Sequence, residues 1–98
     1  MFGIFELTQA DPKSLSERAL KLSEEAGELA QAVLSVTKAP GSEYKNHTLA
    51  DVREEAVDAA IVALSVLAHA SSSEQEFQDE LDRLMSEKCA KWQAKVAG

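Results

Sequence analysis

The chain has 98 residues, of which 45% are hydrophobic, and a formal net charge of −7. This length predicts one small domain over residues 1–98, with enough apolar content for a globular fold. The acidic charge argues against a protein that coats DNA or RNA, because such proteins need a basic surface. The longest apolar run, residues 59–68, is about half the length of a membrane span, so no membrane partner is expected.

The N-terminal segment and the cysteine content indicate the compartment. Residues 1–6 have no basic region and too short an apolar run for a signal peptide. The single cysteine, Cys89, cannot form an intrachain disulfide and suits a reducing environment. We therefore expect a cytoplasmic protein, in which Cys89 is a core thiol, since the sequence supplies no base to activate it.

Helical periodicity and capping signals predict an all-α protein. Residues 1–13 are expected to form a packed tail or a brief turn before the first long helix. Apolar residues then recur at alternating spacings of three and four, which is typical of amphipathic helices. The prediction is an antiparallel helical bundle of three main helices, at about residues 14–38, 48–70 and 73–97. Each begins with a capping box, formed by Ser14 and Glu17, Thr48 and Asp51, and Ser73 and Glu76.

The second of these helices predicts self-association. Its second half, residues 59–68, is apolar on nearly every side, and such a helix has to be covered all round. Three helices in so short a chain do not provide that cover. We therefore expect a homo-oligomer, a homodimer or a homotetramer, whose interface completes the bundle.

Two acidic motifs are the candidate functional site. Glu24, Glu25 and Glu28 lie in the first long helix, and Glu55 and Asp58 lie in the second. Residues three apart share a helix face, so antiparallel pairing of the helices would bring the two motifs together. Few bases lie nearby, and burying unpaired carboxylates is costly unless a cation neutralises them. The pattern favours a metal site, and the alternative is a solvated acidic face.

The ligand type selects the metal. All the candidate ligands are carboxylates, and neither His47 nor His69 has metal-ligand spacing to another histidine or cysteine. Oxygen donors favour Mg²⁺, with Mn²⁺ as a substitute, over zinc or copper. Mg²⁺ commonly reaches its substrate through phosphate oxygens, which indicates phosphoryl chemistry.

At these motifs the chain resembles a known family. The spacing of Glu24-Glu25-x-x-Glu28 and Glu55-x-x-Asp58 resembles the EExxE and ExxD signature of the all-α nucleoside triphosphate pyrophosphohydrolases. Residues 21–32, KLSEEAGELAQA, are similar to the MazG-like branch in particular. The resemblance covers about residues 19–68. It implies a dimer or tetramer of helical bundles that uses Mg²⁺ to hydrolyse nucleoside triphosphates to a monophosphate and pyrophosphate.

The resemblance also implies roles for individual residues. Glu25, Glu28, Glu55 and Asp58 would be metal ligands, and Glu24 would be a supporting acid that binds a second metal or activates the attacking water. Triphosphate and base would be bound near Lys88, Lys91 and Trp92, although Cys89 stands where many members have asparagine. For the lysines the alternative is complementation of the helix dipole, and for Trp92 it is a core position.

The loop at residues 39–47 supplies a further substrate-binding candidate, Lys45, which with Tyr44 could contact a phosphate and a base. A plain surface loop is the alternative. Two other functions remain open for the whole chain. One is a phosphoribosyl-ATP pyrophosphohydrolase, which by resemblance shares the fold and the acidic motif. The other is a non-catalytic helical assembly module whose acids bind a structural metal or a basic partner.

Overall fold

The structure, a computed structural model, describes residues 2–41 and 46–98. Over this part the chain is all-helical, as predicted, and contains four helices: α1 Ile4–Ala10, α2 Leu15–Val36, α3 Leu49–His69 and α4 Glu74–Ala97. The segment expected to be a packed tail or turn is therefore a short helix, α1, which does pack through Ile4 and Phe5. Among the described residues, no helix is both long and apolar enough to cross a membrane.

The first two predicted capping boxes are confirmed. Ser14 Oγ accepts a hydrogen bond from the Glu17 amide at 3.1 Å, and the Glu17 carboxylate accepts one from the Ser14 amide at 2.8 Å. Thr48 and Asp51 make the same reciprocal pair at the start of α3. These bonds satisfy amides that the first helical turn leaves without a partner, so the sequence itself determines where both helices begin.

The third capping box is only half formed. Ser73 Oγ accepts from the Glu76 amide at 3.1 Å, as predicted. The Glu76 carboxylate, however, accepts from the amide of Ser72 at 2.9 Å and from its hydroxyl at 3.1 Å. The extra serine before the N-cap offers two donors, and Glu76 takes these in place of the N-cap amide.

Helix α2 ends at Val36, two residues before the predicted end near Lys38. Lys38 adopts a left-handed conformation with φ of 58°. Its amide donates to the carbonyl of Ser35, and the Ala39 amide donates to that of Leu34. This pair of bonds is a Schellman motif, in which the left-handed residue is usually glycine because a Cβ is strained there. The helix is thus closed by Lys38 itself, before Pro40 and Gly41.

We predict that Lys38→Gly stabilises the protein by about 0.5–1 kcal/mol, because glycine adopts the left-handed conformation without strain. Chemical denaturation measures the change in the free energy of unfolding. Lys38→Ala removes the same side chain but keeps the Cβ, and it should give no such gain. Equal effects of the two substitutions would show that the Lys38 side chain, and not its backbone conformation, limits stability.

Helices α2 and α3 form an antiparallel hairpin whose contacts at both ends define the register. At one end Arg18 of α2 donates from Nε to Nδ1 of His69 at 3.0 Å. At the other end the His47 amide, just before α3, donates to Ser35 Oγ at 3.0 Å. The middle of α2 therefore lies against the middle of α3, which places their acidic motifs opposite each other.

The apolar core is small and lies where α1, α3 and α4 meet. Ile4, Phe5, Ala68 and Phe77 are buried there, and the rings of Phe5 and Phe77 are 6.1 Å apart between centroids. Leu81 is the last residue of α4 that packs against this core. Within the described residues α4 approaches α1 and α3 but not α2.

A buried arginine joins α1 to the helical hairpin. Arg18 is 4% exposed. In addition to its bond to His69, it donates from Nη2 to the backbone carbonyls of Thr8 at 2.9 Å and Asp11 at 3.1 Å. These carbonyls belong to the end of α1, where helical acceptors have no partner of their own. Arg18 therefore positions α1 by satisfying the last carbonyls of that helix.

We predict that Arg18→Met lowers the free energy of unfolding by about 2–4 kcal/mol, because it leaves buried carbonyls without a donor while it preserves the aliphatic volume. Urea denaturation measures this. Arg83→Met is the matched control: Arg83 is half-exposed, and its partners Glu80 and Glu87 lie on the same helix surface. A smaller loss for Arg18→Met than for Arg83→Met would contradict the role given to Arg18.

Candidate metal centre

Three of the predicted acids meet between α2 and α3. Glu25 and Glu28 project from one face of α2, and Glu55 projects from α3. One carboxylate oxygen from each lies within 4.8 Å of the others. We call Glu25, Glu28 and Glu55 the carboxylate triad. The i, i+3 spacing and the antiparallel register together produce this convergence, as the sequence predicted.

Two oxygen atoms of the triad are buried without a hydrogen-bond partner. Glu25 is 8% exposed, which is unusual for a glutamate. Its Oε2 and the Oε2 of Glu55 are both shielded from solvent, and neither accepts a hydrogen bond from any described residue. Burial of carboxylate oxygens without a partner is costly, so these two atoms are an unfavourable feature of the hairpin that a donor or a cation would relieve.

One basic side chain partly neutralises the acids. Lys21 Nζ lies 3.1 Å from Oε1 of Glu25 and 3.5 Å from Oε1 of Glu24. The hydrogen bond to Glu25 and the charges of both glutamates raise the pKa of Lys21. Among the described residues this is the only ammonium or guanidinium group in an ion pair with the acidic motifs. One lysine does not balance the triad and Glu24, and it leaves Oε2 of Glu25 unpaired.

The like charges of the triad are felt most clearly by Glu28. The negative charge of Glu25 raises the pKa of Glu28, and partial desolvation and the charge of Glu55 add to the effect. The raised pKa of Glu28 therefore has the same origin as the geometry, which is the close approach of three carboxylates.

Asp58 and Glu24 lie near the triad without joining it. Asp58 is exposed and lines a shallow hollow on α3, together with Glu55, Val57, Arg53 and Glu54. The Glu24 side chain is 58% exposed and is paired with Lys21. The structure thus brings together three of the four predicted ligands and leaves both of these carboxylates facing solvent beside them.

The three triad residues fit a hard divalent cation. All their donors are oxygen atoms, and no histidine or cysteine of the described chain joins the group. Oxygen ligands lie about 2.0–2.6 Å from Mg²⁺ or Ca²⁺, so ligands on opposite sides of one ion are about 4–5 Å apart. The separation of 4.8 Å or less in the triad is compatible with that geometry.

The predicted substrate-binding residues of α4 do not meet the triad within one chain. Lys88, Lys91 and Trp92 lie on the second half of α4, which is exposed and does not approach α2. Trp92 is 69% exposed, so within one chain it does not occupy the core position that was the alternative to substrate binding. The expectation that Cys89 is a core thiol is wrong, since Cys89 is exposed on the same stretch. Lys45 and Tyr44 lie outside the described residues.

Sequence reasoning missed one feature next to the triad. A groove lies between α1 and the hairpin, walled by Ile4 and Leu7 of α1 and by Ile61 and Val62 of α3. Lys21 stands at its border and so belongs to both the groove and the acidic site. The groove exists because α1 is a helix, and seven residues are too few for periodicity to reveal one.

Comparison of the chain with protein-family models, with curated proteins and with solved structures found no match.

We predict that Glu28→Gln raises the melting temperature of the metal-free protein at neutral pH, because it removes the like-charge repulsion within the triad. The raised pKa of Glu28 sets the pH dependence. The contribution of Glu28 to the free energy of unfolding is fully present below its unfolded-state pKa, near 4.5. It is lost as the pH rises through the higher pKa that Glu28 has in the folded protein. The difference between variant and wild type should therefore shrink towards acid pH, as measured by thermal melts in a chelator.

Asp82→Asn is the control for net charge, since Asp82 is an exposed acid on α4, away from the triad. It should give a smaller shift, without the same dependence on pH. Equal shifts for the two variants would show that overall charge, and not crowding in the triad, destabilises the metal-free protein.

Proposed function

We propose that this protein is a Mg²⁺-dependent nucleoside triphosphate pyrophosphohydrolase of the MazG-like type, which converts a nucleoside triphosphate to a monophosphate and pyrophosphate. The observation that carries the proposal is the buried, unpartnered Oε2 of Glu25, which lies beside the converging carboxylates of Glu28 and Glu55. The resemblance of residues 19–68 to that family supports the same reaction.

Each acidic residue has a role in this proposal. Glu25, Glu28 and Glu55 hold the metal, and Asp58 extends the ligand set from the hollow beside Glu55. A divalent cation bound there supplies positive charge to the phosphate oxygens of an anionic substrate. Glu24, with its exposed carboxylate, accepts a proton from the attacking water, as a general base has to be accessible to the solvent it activates.

The proposal includes assembly of the chain into a homodimer or homotetramer. Apolar side chains remain exposed on all four helices, including Leu7 of α1, Ile61 of α3 and Trp92 of α4. Association would complete the bundle that α2 and α3 begin. It would also bury the exposed apolar side chains of the helices between the subunits.

A second function is favoured by one specific observation. Lys21 pairs with Glu25 and Glu24, so part of the acidic charge is balanced by the chain itself. A non-catalytic assembly module would use the acids in this way, to hold a structural cation or to pair with basic side chains.

The proposed function is tested by incubating the protein with Mg²⁺ and each nucleoside triphosphate, and measuring pyrophosphate release. We expect turnover of at least one of them. Glu25→Gln should lower kcat/KM by about 100-fold or more, because it removes the buried charge at the centre of the site. Asp82→Asn should retain activity. Comparable loss in both variants would contradict the assignment of Glu25.

The same assay separates the alternatives. Release of pyrophosphate from phosphoribosyl-ATP alone would replace the proposed substrate class with that of the related enzyme. Absence of turnover with every substrate, together with a higher melting temperature in Mn²⁺ that Glu25→Gln abolishes, would establish a non-catalytic metal site. Absence of both effects would reject the metal centre itself.

A further inference from the structure

The second half of α4 has no partner in the chain. Helix α4 is 24 residues long and buries only Phe77, close to its start. Beyond Leu81, Met85, Trp92 and Val96 form an exposed stripe at helical spacing, with exposed Cys89 between them. We call residues 85–97 the α4 arm. A helix that is stable in water usually requires packing of its apolar face, and nothing in the described chain supplies it.

The size of the exposed surface shows how much contact is missing. The accessible surface is 7049 Å², whereas a compact monomer of 10.6 kDa exposes about 5,500 Å². The radius of gyration is 16.1 Å, compared with about 13 Å for a compact chain of this length. The excess of about 1,500 Å² per chain matches the area that each subunit buries in an obligate dimer.

A complementary surface lies near the middle of α3, at Val57 and Ile61. The short helix α1 covers the second half of α3, where Leu64, Leu67 and Ala68 pack against the core. Val57 and Ile61 precede that covered part and are 57% and 49% exposed. Val57 also lines the hollow that contains Glu55 and Asp58. On this surface the apolar side chains of Val57 and Ile61 lie next to the acidic side chains of the hollow.

The charges of the arm and of the rest of the chain are opposite. The arm, residues 85–97, contains three lysines and one glutamate, a net charge of +2. Because the whole chain has a net charge of −7, the rest of the chain carries a net charge of −9. The lysines adjoin the apolar stripe of the arm, and the acids adjoin Val57 and Ile61 of α3. The two surfaces therefore match in both polarity and charge.

We propose that the α4 arm packs across the middle of α3, at Val57 and Ile61, of a second copy of this chain. Trp92 and Met85 of one copy cover Val57 and Ile61 of the other, and Lys88 and Lys91 face the hollow beside the carboxylate triad. Each site is then completed by the other copy. The use of these lysines to bind substrate phosphates rests on the proposed function, whereas the packing does not.

Cys89 provides a direct test, since it is the single cysteine of the chain and lies within the exposed stripe. In Val57→Cys and Ile61→Cys variants, mild oxidation with diamide should form a disulfide between the arm of one copy and α3 of another. Such a bond requires Cα atoms within about 7 Å. Dimers on a non-reducing gel, with the linked peptides identified by mass spectrometry, are the expected result.

Two controls define the specificity of the cross-link. Leu20→Cys places a thiol at an exposed position of α2, away from the proposed contact, and should not cross-link to Cys89. Replacement of Cys89 by serine in the Val57→Cys protein should abolish the bond to the arm. Cross-links from Leu20→Cys as efficient as those from Val57→Cys, or none from either α3 position, would overturn the proposal.

A second measurement does not depend on thiols. Trp92→Glu should raise the dissociation constant of the assembly by about 100-fold, as expected for loss of a central aromatic contact, and light scattering measures it. Phe2→Glu, which alters an exposed aromatic residue outside the helices, should not. The double variant Lys88→Glu and Lys91→Glu keeps the apolar stripe and should also weaken association. This variant tests the contact even if Trp92→Glu unfolds the arm.

The outcomes separate this inference from the proposed function. Cross-linking at α3 without pyrophosphate release supports the arm contact and rejects the enzyme. Pyrophosphate release from a protein that remains monomeric, with no cross-link, rejects the arm contact and leaves the enzyme in place. Association that the arm variants do not weaken would assign the interface to another surface.

Discussion

The antiparallel register of α2 on α3 is the constraint on which the remainder of the structure depends. Arg18 and His69 hold one end of the hairpin, and Ser35 and His47 hold the other. With both ends held, Glu25 and Glu28 have to lie opposite Glu55. A slip of α3 by one helical turn, about 5.4 Å, would put Asp51 and Val52, or Asp58 and Ala59, in the place of Glu55.

That register brings like charges together in a protein with little apolar core to oppose their repulsion. The core consists of a few side chains where α1, α3 and α4 meet, at a distance along the hairpin from the triad. Lys21 relieves part of the repulsion, since it pairs with Glu25 from one turn earlier on the same helix. The hairpin therefore holds carboxylates together in an arrangement that is unfavourable by itself and that a cation would stabilise.

Features that depend on local sequence were predictable, and features that depend on distant contacts were not. The Ser14 and Thr48 capping boxes were correct, because each requires only residues three apart. The pairing within the triad also followed from spacing. Asp58 has the same spacing to Glu55 but faces solvent, since the rotation of α3 against α2 is set by packing along the whole hairpin. Periodicity alone does not specify that rotation.

The arm illustrates a different limit. The apolar stripe that includes Cys89 and Trp92 predicted a core position, and both residues are exposed. Periodicity reports that a helix face has to be covered, but it does not report whether the cover comes from the same chain. For α1 the reverse holds, because seven residues were too short to show a pattern although their contacts within the chain are extensive.

Three kinds of positive charge could neutralise the triad: a lysine of the same helix, a metal ion, and the lysines of another copy's arm. They differ in how they depend on metal concentration, association and salt. Lys21 is fixed by its own helix and contacts Glu25 in every copy of the chain. A metal ion would reach the buried oxygens that Lys21 leaves unpaired. The lysines of the arm would arrive only by association, and their attraction to the acidic hollow weakens as salt screens it beyond about 10 Å. Arm lysines and a metal ion would neutralise the same acids, so each would weaken the attraction of the site for the other, although either would reduce the repulsion that opposes folding around the triad.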